Sequence, residues 1–509
     1  RPQPRPPGRT PGPAVGPGGS LTGVPENQES KESLPMSQTT TVAGDVTAPA
    51  AIGVRLDRMP ITPMHRRLTM VVGIGLLFDT FENNLSGTIA KVLQSDFAFG
   101  ATELKLVLAS VFIGQFIGSL VLGRIADRFG RRRAFLINLA LYSGFSLLGA
   151  FSPNAVWLIV TRFMAGIGIG AEQVLSDCYL ADVLPAKRRG RYIAWAYTVA
   201  FCGVPAVGFA ALWLVPLSPL GIDGWRWLFV IGSLGSAVVW VLRRRLIESP
   251  RWLAAQGRTE EAELLVAEME KQAYPDRPAT VRPVAADTAG PVEPAAVRHR
   301  VRDVFGRGMR RRTVVLWIFC VLSVVGYYGF GTLAPQIVAA KGYGIVAGIG
   351  FTALSFLGYP VGSALALPIV DRFERRTLVA ASAAAMMVAG LGFAYAGSPA
   401  LIVAFGFVYT LCSNVFSSVS HVYLSEQYPT AIRATASGAA YSLSKLSAAA
   451  LPFVLLPVLD SHGPGALFGV IAAAMAALAA TVLLLGERTT GAPVDGVPGP
   501  PTTPVTKRS

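Results

Sequence analysis

The stretch GIGLLFDTFENNLSG, residues 73–87, sets two carboxylates inside an apolar run. Asp79, Glu82, Asn83 and Ser86 fall at i, i+3, i+4 and i+7, so a helix presents them on one face. A charge near a bilayer midplane costs at least about 2.5–3.5 kcal/mol on insertion scales and persists only beside a partner or a watery cavity. That face is therefore predicted to line a cavity. Arg162, in RFMAGIGIG, is a candidate partner. At the helical rise Asp79 lies about 16 Å from one side and Arg162 about 9 Å from the other. In a hydrocarbon core of about 30 Å, Arg162 then reaches Asp79 or Glu82. An arginine that moves toward or away from a buried carboxyl switches its hold on a proton. A fixed structural ion pair is the plain alternative.

A second set lies far along the chain. Lys445 shares a helix face with Ser437 and Tyr441, again about 16 Å deep. Lipid rejects a lysine there, so it faces a cavity or an acid. One reading has it bind an anionic group of a substrate, with Asn414 and Tyr441 adding hydrogen bonds. The other pairs it with Glu82 or another carboxylate. Thr410, Asn414, Ser418 and His421 form one face of the neighbouring span, and Tyr327 and Tyr328 supply either an aromatic wall or packing.

The elements that must hold these groups are apolar helices. Of 509 residues 52% are hydrophobic and 15% charged, against about 25% charge in soluble proteins. Twelve apolar runs are predicted to span: 68–92, 103–122, 134–152, 156–178, 192–216, 226–242, 313–335, 345–367, 377–396, 400–421, 435–459 and 465–485. The alternating strands of an outer-membrane barrel are missing. Gly166 and Gly170, four apart, predict a small-residue packing face within a span. The net charge of +15 comes from arginines in the loops between runs, which points to topology and away from nucleic acid. The four histidines form no cluster at ligand spacing, so neither a metal, another cofactor nor an enzymatic site is expected.

GRIADRFGRRR (123–133), PAKRRGR (185–191), RRRLIESPR (243–251) and DRFERR (371–376) lie on one side, and the opposite turns are nearly free of basic residues. Lysine and arginine excess marks the cytoplasmic face, which puts both termini inside. SPRWLAAQG reads as a short helix capped by Ser249 and stopped at Gly257. Thr259 caps a second, and both are expected to brace the two bundles from the inner surface. The organisation is read as a disordered tail (1–60), a six-helix bundle (61–245), a cytoplasmic loop with short surface helices (246–312), a second bundle (313–488) and a disordered tail (489–509). Residues 274–297 read as flexible linker, and the N-terminal tail lacks a signal peptide's apolar core.

The halves repeat. Asp127 and Asp371 are 244 residues apart, as are Pro185 and Pro429, and Arg189 and Arg433. Two bundles related by an axis along the membrane normal follow from such parallel repeats.

These residues resemble the major facilitator superfamily of secondary transporters. Gly123, Asp127, Arg128, Gly130, Arg131 and Arg132 resemble its loop signature between spans 2 and 3. RFMAGIGIG resembles its span 4 signature. ESPRWLAAQGRTEEA (248–262) and YLSEQYPTAIR (423–433) are similar to the sugar-porter and organic-ion branch. Leu367 and Glu374 replace the second loop's glycines, Asp182 stands where the branch has glutamate, and VLSVVGYYGFG (321–331) lacks its glutamine-rich sugar contacts. The resemblance implies proton coupling through Asp79 and Arg162, with Glu82 beside them. It also implies a cytoplasmic gate in which loop arginines pair with Glu172, Asp177 and Asp182. Arg189, Asp371, Arg372, Arg375, Glu426 and Arg433 complete that gate, although the loops could be topology anchors alone.

The reading is an all-α membrane protein of twelve transmembrane helices in two six-helix bundles. Its function is transport of a small organic solute, favoured as an organic or aromatic acid, across the plasma membrane by proton symport. Its partners are that solute, protons and the bilayer, with a monomer expected. A sugar or polyol symporter, a proton-driven efflux antiporter and a non-transporting membrane sensor are the alternatives.

Overall fold

The structure, a computed structural model, describes residues 48–275, 309–370, 372–427 and 430–487. The first half carries α1 (Ala48–Arg58), α2 (Pro63–Thr88), α3 (Ala90–Asp96), α4 (Ala101–Phe129), α5 (Arg131–Ala150) and α6 (Ala155–Val183). It continues through α7 (Arg189–Phe201), α8 (Gly203–Leu214) and α9 (Gly224–Arg243). α10 (Pro250–Ala255) and α11 (Thr259–Ala273) follow on the loop side. The second half carries α12 (Arg310–Ala340), α13 (Ile345–Phe356), α14 (Gly358–Val370), α15 (Arg375–Tyr395), α16 (Pro399–Glu426) and α17 (Thr430–Leu485).

Among the described residues ten stretches are long and apolar enough to cross a membrane, with α7 and α8 forming one and α13 and α14 another. The last, Ala439–Leu485, makes two spans because the helix breaks at Gly463, whose φ of 78° is left-handed. α2 is the twelfth. Its polar residues make it less apolar, but its 26 residues reach about 39 Å. The chain is thus a twelve-span helical membrane protein.

Local chemistry sets the starts. Thr62 and His65 close a reciprocal capping box ahead of Pro63. Asn154 caps α6 through Trp157 N at 3.0 Å, and Ser398 caps α16 ahead of Pro399. Glycine then sets how closely spans approach. A Cβ on Gly114 or Gly118 of α4 would stand 2.2 Å from Phe163 O or 1.9 Å from Ile167 O of α6. Gly166 and Gly170 of α6 meet Val111 O and Gln115 O in return, at 2.3 and 2.2 Å. So the two backbones touch, as small residues in spans allow. Gly358 and Gly362 of α14, each 244 residues on from Gly114 and Gly118, lie as tightly on α16.

The halves meet through α4 against α17 and, reciprocally, α8 against α13, with α2 against α12 at the centre. This is the arrangement of a pseudo-twofold axis along the membrane normal.

Three expectations need correction. Residues 48–58 are helical: Ile52 and Leu56 pack with Leu253, Val266 and Met269, and Arg55 pairs with Glu270 at 2.7 Å. The amphipathic turn was hidden by the Pro/Gly-rich composition before it. α10 and α11 pack on α1, α6 and α2, so among the described residues their main contacts brace the first half. Ser249 caps α10 as read, whereas Thr259 is the first helical residue of α11, not its cap. The linker and tail readings at 276–308, 1–47 and 488–509 lie outside the described residues.

Candidate substrate cavity and its buried ion pairs

α2, α5, α6 and α9 pack so that charges from three of them meet in dry surroundings. Arg162 on α6 donates from Nη1 to Glu82 Oε2 at 2.9 Å and from Nη2 to the Glu82 backbone carbonyl at 2.7 Å. Ser146 on α5 donates to Glu82 Oε1 at 2.6 Å. Both charged side chains are 0% exposed. α9 makes room through Gly232, where a Cβ would stand 2.1 Å from Glu82 Oε1. The alternative left open for Arg162 is thus resolved in favour of Glu82. Glu82 sits nearly one turn closer than Asp79 to the end where Arg162 enters, and it alone has a socket.

A second pair lies toward the basic loops. Arg243 on α9 bonds Glu172 on α6, Asn138 on α5 donates to the same carboxylate, and Phe135 stands 4.2 Å from the guanidinium. α2 contributes Gly75, where a Cβ would lie 1.9 Å from Arg243 Nη2. Each pair therefore ties the same four helices together, at two heights.

Asp79 belongs to neither pair. Its Oδ1 is buried without a hydrogen-bond partner, and the residue lines the central cavity between the halves. This cavity holds about 1100 Å³ of free space, counting its mouth. The first half contributes Asp79, Asn83, Asn84, Gln115, Gln173, Tyr197 and Phe201. The second contributes Ser323, Tyr327, Tyr328, Ser417, Ser420, His421, Tyr441, Ser444 and Lys445. The space runs from mid-membrane toward the end carrying the basic loops. At the opposite end the halves close: a Cβ on Gly87 would stand 2.8 Å from Thr332 O.

Lys445 is 5% exposed, and among the described residues no carboxylate lies within ion-pair distance. Its Nζ donates to Tyr328 Oη at 3.0 Å and stands 4.9 Å from the Tyr441 ring centroid. Tyr441 in turn donates to Gln173 of the other half. Tyr327 and Tyr328 meet edge to face at 4.9 Å, and Tyr327 continues to Tyr359 at 5.8 Å. Gln115 donates to Asn83 across the first-half wall.

Of the residues expected to bind substrate, Asn83, Tyr327, Tyr328, His421, Tyr441 and Lys445 line this space. Asn414 does not. It is 0% exposed and donates to Tyr359 O at 2.6 Å, stitching α16 to α14, as Thr410 does to Ser355 O of α13. The face of α16 toward the cavity is instead that of Ser417, Ser420 and His421.

The expected gate pairings also change. Glu172 is held by Arg243 and Asn138, and Asp177 accepts from Tyr197 at 2.8 Å, so among the described residues neither pairs with an arginine of the 123–133 turn. Asp182 does approach Arg131, at 3.8 Å, and accepts from Ser249 at 2.8 Å. Arg131 and Arg132 give their backbone N–H groups to Glu248, which caps α5 at 2.9 and 3.2 Å. Gly130 (φ 99°) makes that turn. Arg189 pairs with Asp57 at 2.8 Å. Arg128 and Arg372 are exposed, Arg375 turns back to Val370 O and Phe373 O, and Gly123 has open space where a Cβ would lie. Asp371 and the side chains of Asp127, Glu426 and Arg433 lie outside the described residues.

The reading missed Gln115, Gln173, Tyr197, Arg243 and Glu248. One signal was available: Tyr197 precedes Tyr441 by the repeat offset of 244.

The sequence profile of the sugar (and other) transporter family matches residues 71–497, and the chain belongs to that family. It is a multi-pass membrane transporter and not an enzyme, and it has the fold of a major facilitator superfamily symporter. The niacin transporter NiaP of Acinetobacter baylyi is 29% identical, over 87% of this chain and 98% of that one. Among solved structures, the xylose transporter XylE of E. coli, in a partially occluded inward-open conformation, superposes with a TM-score of 0.67. The match has 20% identity and covers 84% of this chain and 99% of that one. The proton:xylose symporter XylE bound to 6-bromo-6-deoxy-D-glucose gives 0.63 at 22% identity, over 84% and 97% of the two chains.

Proposed function

We propose that this protein is a plasma-membrane symporter that moves a proton together with a small organic acid bearing a flat, aromatic body. It works as a monomer by alternating access, with both termini cytoplasmic. The observation that carries this is a buried ammonium at Lys445 that no described carboxylate reaches at ion-pair distance, facing a wall of tyrosine rings. A carboxylate on Lys445 supplies the missing counter-charge, and Tyr327 and Tyr328 offer ring faces and edges to an aromatic body. NiaP, a relative named for niacin, handles a molecule of this kind, an aromatic ring with one carboxylate.

Asp79 supplies the coupling. An ionised Asp79 and a substrate anion in one cavity repel each other. At an effective dielectric constant of about 20 such repulsion reaches about 4 kcal/mol for charges about 4 Å apart and falls off with distance. A proton on Asp79 removes that opposition, so proton and anion load together and leave together. Glu82 and Arg162, sealed from the cavity, hold the helix that carries Asp79. The cavity lies toward the basic loops, which the positive-inside rule puts in the cytoplasm.

A sugar or polyol is the second reading, supported by the uncharged polar wall of Asn83, Asn84, Gln115 and Gln173. Purified protein in liposomes, given labelled nicotinate, benzoate, xylose and choline under an inside-alkaline gradient, separates the two. Gradient-driven accumulation of the acids alone is expected. Accumulation of xylose in preference to both acids overturns the acid reading.

A further inference from the structure

Near the basic loops α2 and α7 flank a groove. Higher up they touch, and a Cβ on Gly73 would stand 3.3 Å from the Ala196 backbone. Below that contact a groove opens on the outer surface of the first half, with about 840 Å³ of free space counting its open side. Arg66, Arg188 and Arg191 stand at its mouth, and Met70, Trp195 and Val199 form its wall. Met70 is 53% and Trp195 50% exposed.

The charge here is unanswered. Arg189 and Arg251, close by, share Asp57, and Arg55 pairs with Glu270. Among the described residues no acid lines the groove, and the side chains of Arg66, Arg188 and Arg191 have no ion-pair or hydrogen-bond partner. A basic mouth above an apolar wall that faces lipid fits an amphiphile with a phosphate at one end and hydrocarbon at the other. The arginines sit at headgroup height, and the Met70–Trp195 wall runs from them toward acyl-chain depth.

We infer that this groove binds an anionic phospholipid, its phosphate on Arg66, Arg188 and Arg191 and one acyl chain along Met70 and Trp195. The site is separate from the substrate cavity, but α2 carries Asp79 and α7 carries Tyr197 and Phe201. A lipid wedged between these helices therefore sets their spacing where they line the cavity.

The test uses the full chain in detergent, with lipid retention read by native mass spectrometry and stability by thermal unfolding. Its arms are phosphatidylglycerol, phosphatidylcholine and inorganic phosphate. Phosphatidylglycerol is expected to be retained and to raise the unfolding temperature, with phosphatidylcholine far weaker. The variant R66Q/R188Q/R191Q should bind phosphatidylglycerol roughly 100-fold more weakly, at about fivefold per exposed arginine. The lysine variant R66K/R188K/R191K should keep most of the binding. Equal retention of the two lipids in the unaltered protein overturns the inference without recourse to any variant. So does undiminished binding by the glutamine variant. Stabilisation reproduced by inorganic phosphate alone would mark a free-anion site and overturn it as well.

Discussion

At one height in the first half stand Glu82, Ser146 and Arg162; 244 residues on, the second half has Gly326, Gly390 and Gly406. The helices correspond, but the fillings do not. Where the first half seals a carboxylate and a guanidinium, the second packs aromatic and thioether carbon. Gly390 lies against Phe468 and Tyr409, Gly326 against Met386 and Met475, and Tyr409 donates to Gly326 O at 2.7 Å. The helix seam differs in the same way. Gly166 and Gly170 let α6 touch Val111 O and Gln115 O. Their counterparts Thr410 and Asn414 reach Ser355 O and Tyr359 O with side-chain hydrogen bonds. The repeat has kept which carbonyl is approached and changed what approaches it.

The cavity walls carry the same lesson. Asn83 and Tyr327, Gln173 and Ser417, and Tyr197 and Tyr441 are repeat partners, and all six line the space. The two charges break the symmetry. Asp79 corresponds to Ser323, and Lys445 to Phe201. One wall therefore holds the acid and the other the base, and on this division the proposed split between proton handling and anion binding rests.

The contrast breaks most visibly at Arg162. Arg162→Met strands the buried Glu82 carboxylate and should cost about 3–5 kcal/mol, read by unfolding in detergent. Removing both charges in E82Q/R162M should cost clearly less. A single variant as stable as the parent would mean that the first half is not clamped by charge. Next comes Lys445→Gln, which removes a charge-assisted contact of about 1.5–3 kcal/mol. The apparent affinity for the aromatic acid should fall about 10- to 150-fold in uptake assays, with stability little changed. Unchanged affinity would move the anion site off the second-half wall. Asn414→Ala is the mildest. It should lose about 0.5–1.5 kcal/mol of stability and leave substrate affinity as it was, and a shift in affinity would return Asn414 to the binding set.

The sequence made the spans legible because length and hydropathy announce them, and the 244-residue offset paired the halves. It also singled out Asp79 and Lys445, since charge in oil is conspicuous. Depth counted along a helix could not choose between carboxylates three residues apart, so the partner of Arg162 stayed open. Arg243 was hidden in a basic run that topology alone explains. Glu172 was drawn toward the loop arginines, although a buried arginine stood closer. Asn414 looked like a cavity residue because polarity in a span suggests one, yet it occupies the place of Gly170, a packing position. Extending the repeat residue by residue would have exposed that and Tyr197 together.

The division of labour between the walls is tested most directly by Asp79→Asn in proteoliposomes, comparing accumulation with exchange. Labelled nicotinate is followed under an inside-alkaline gradient and then in counterflow with no gradient. The account predicts that the variant exchanges the acid across the membrane but no longer concentrates it. Gradient-driven accumulation equal to that of the unaltered protein would contradict it.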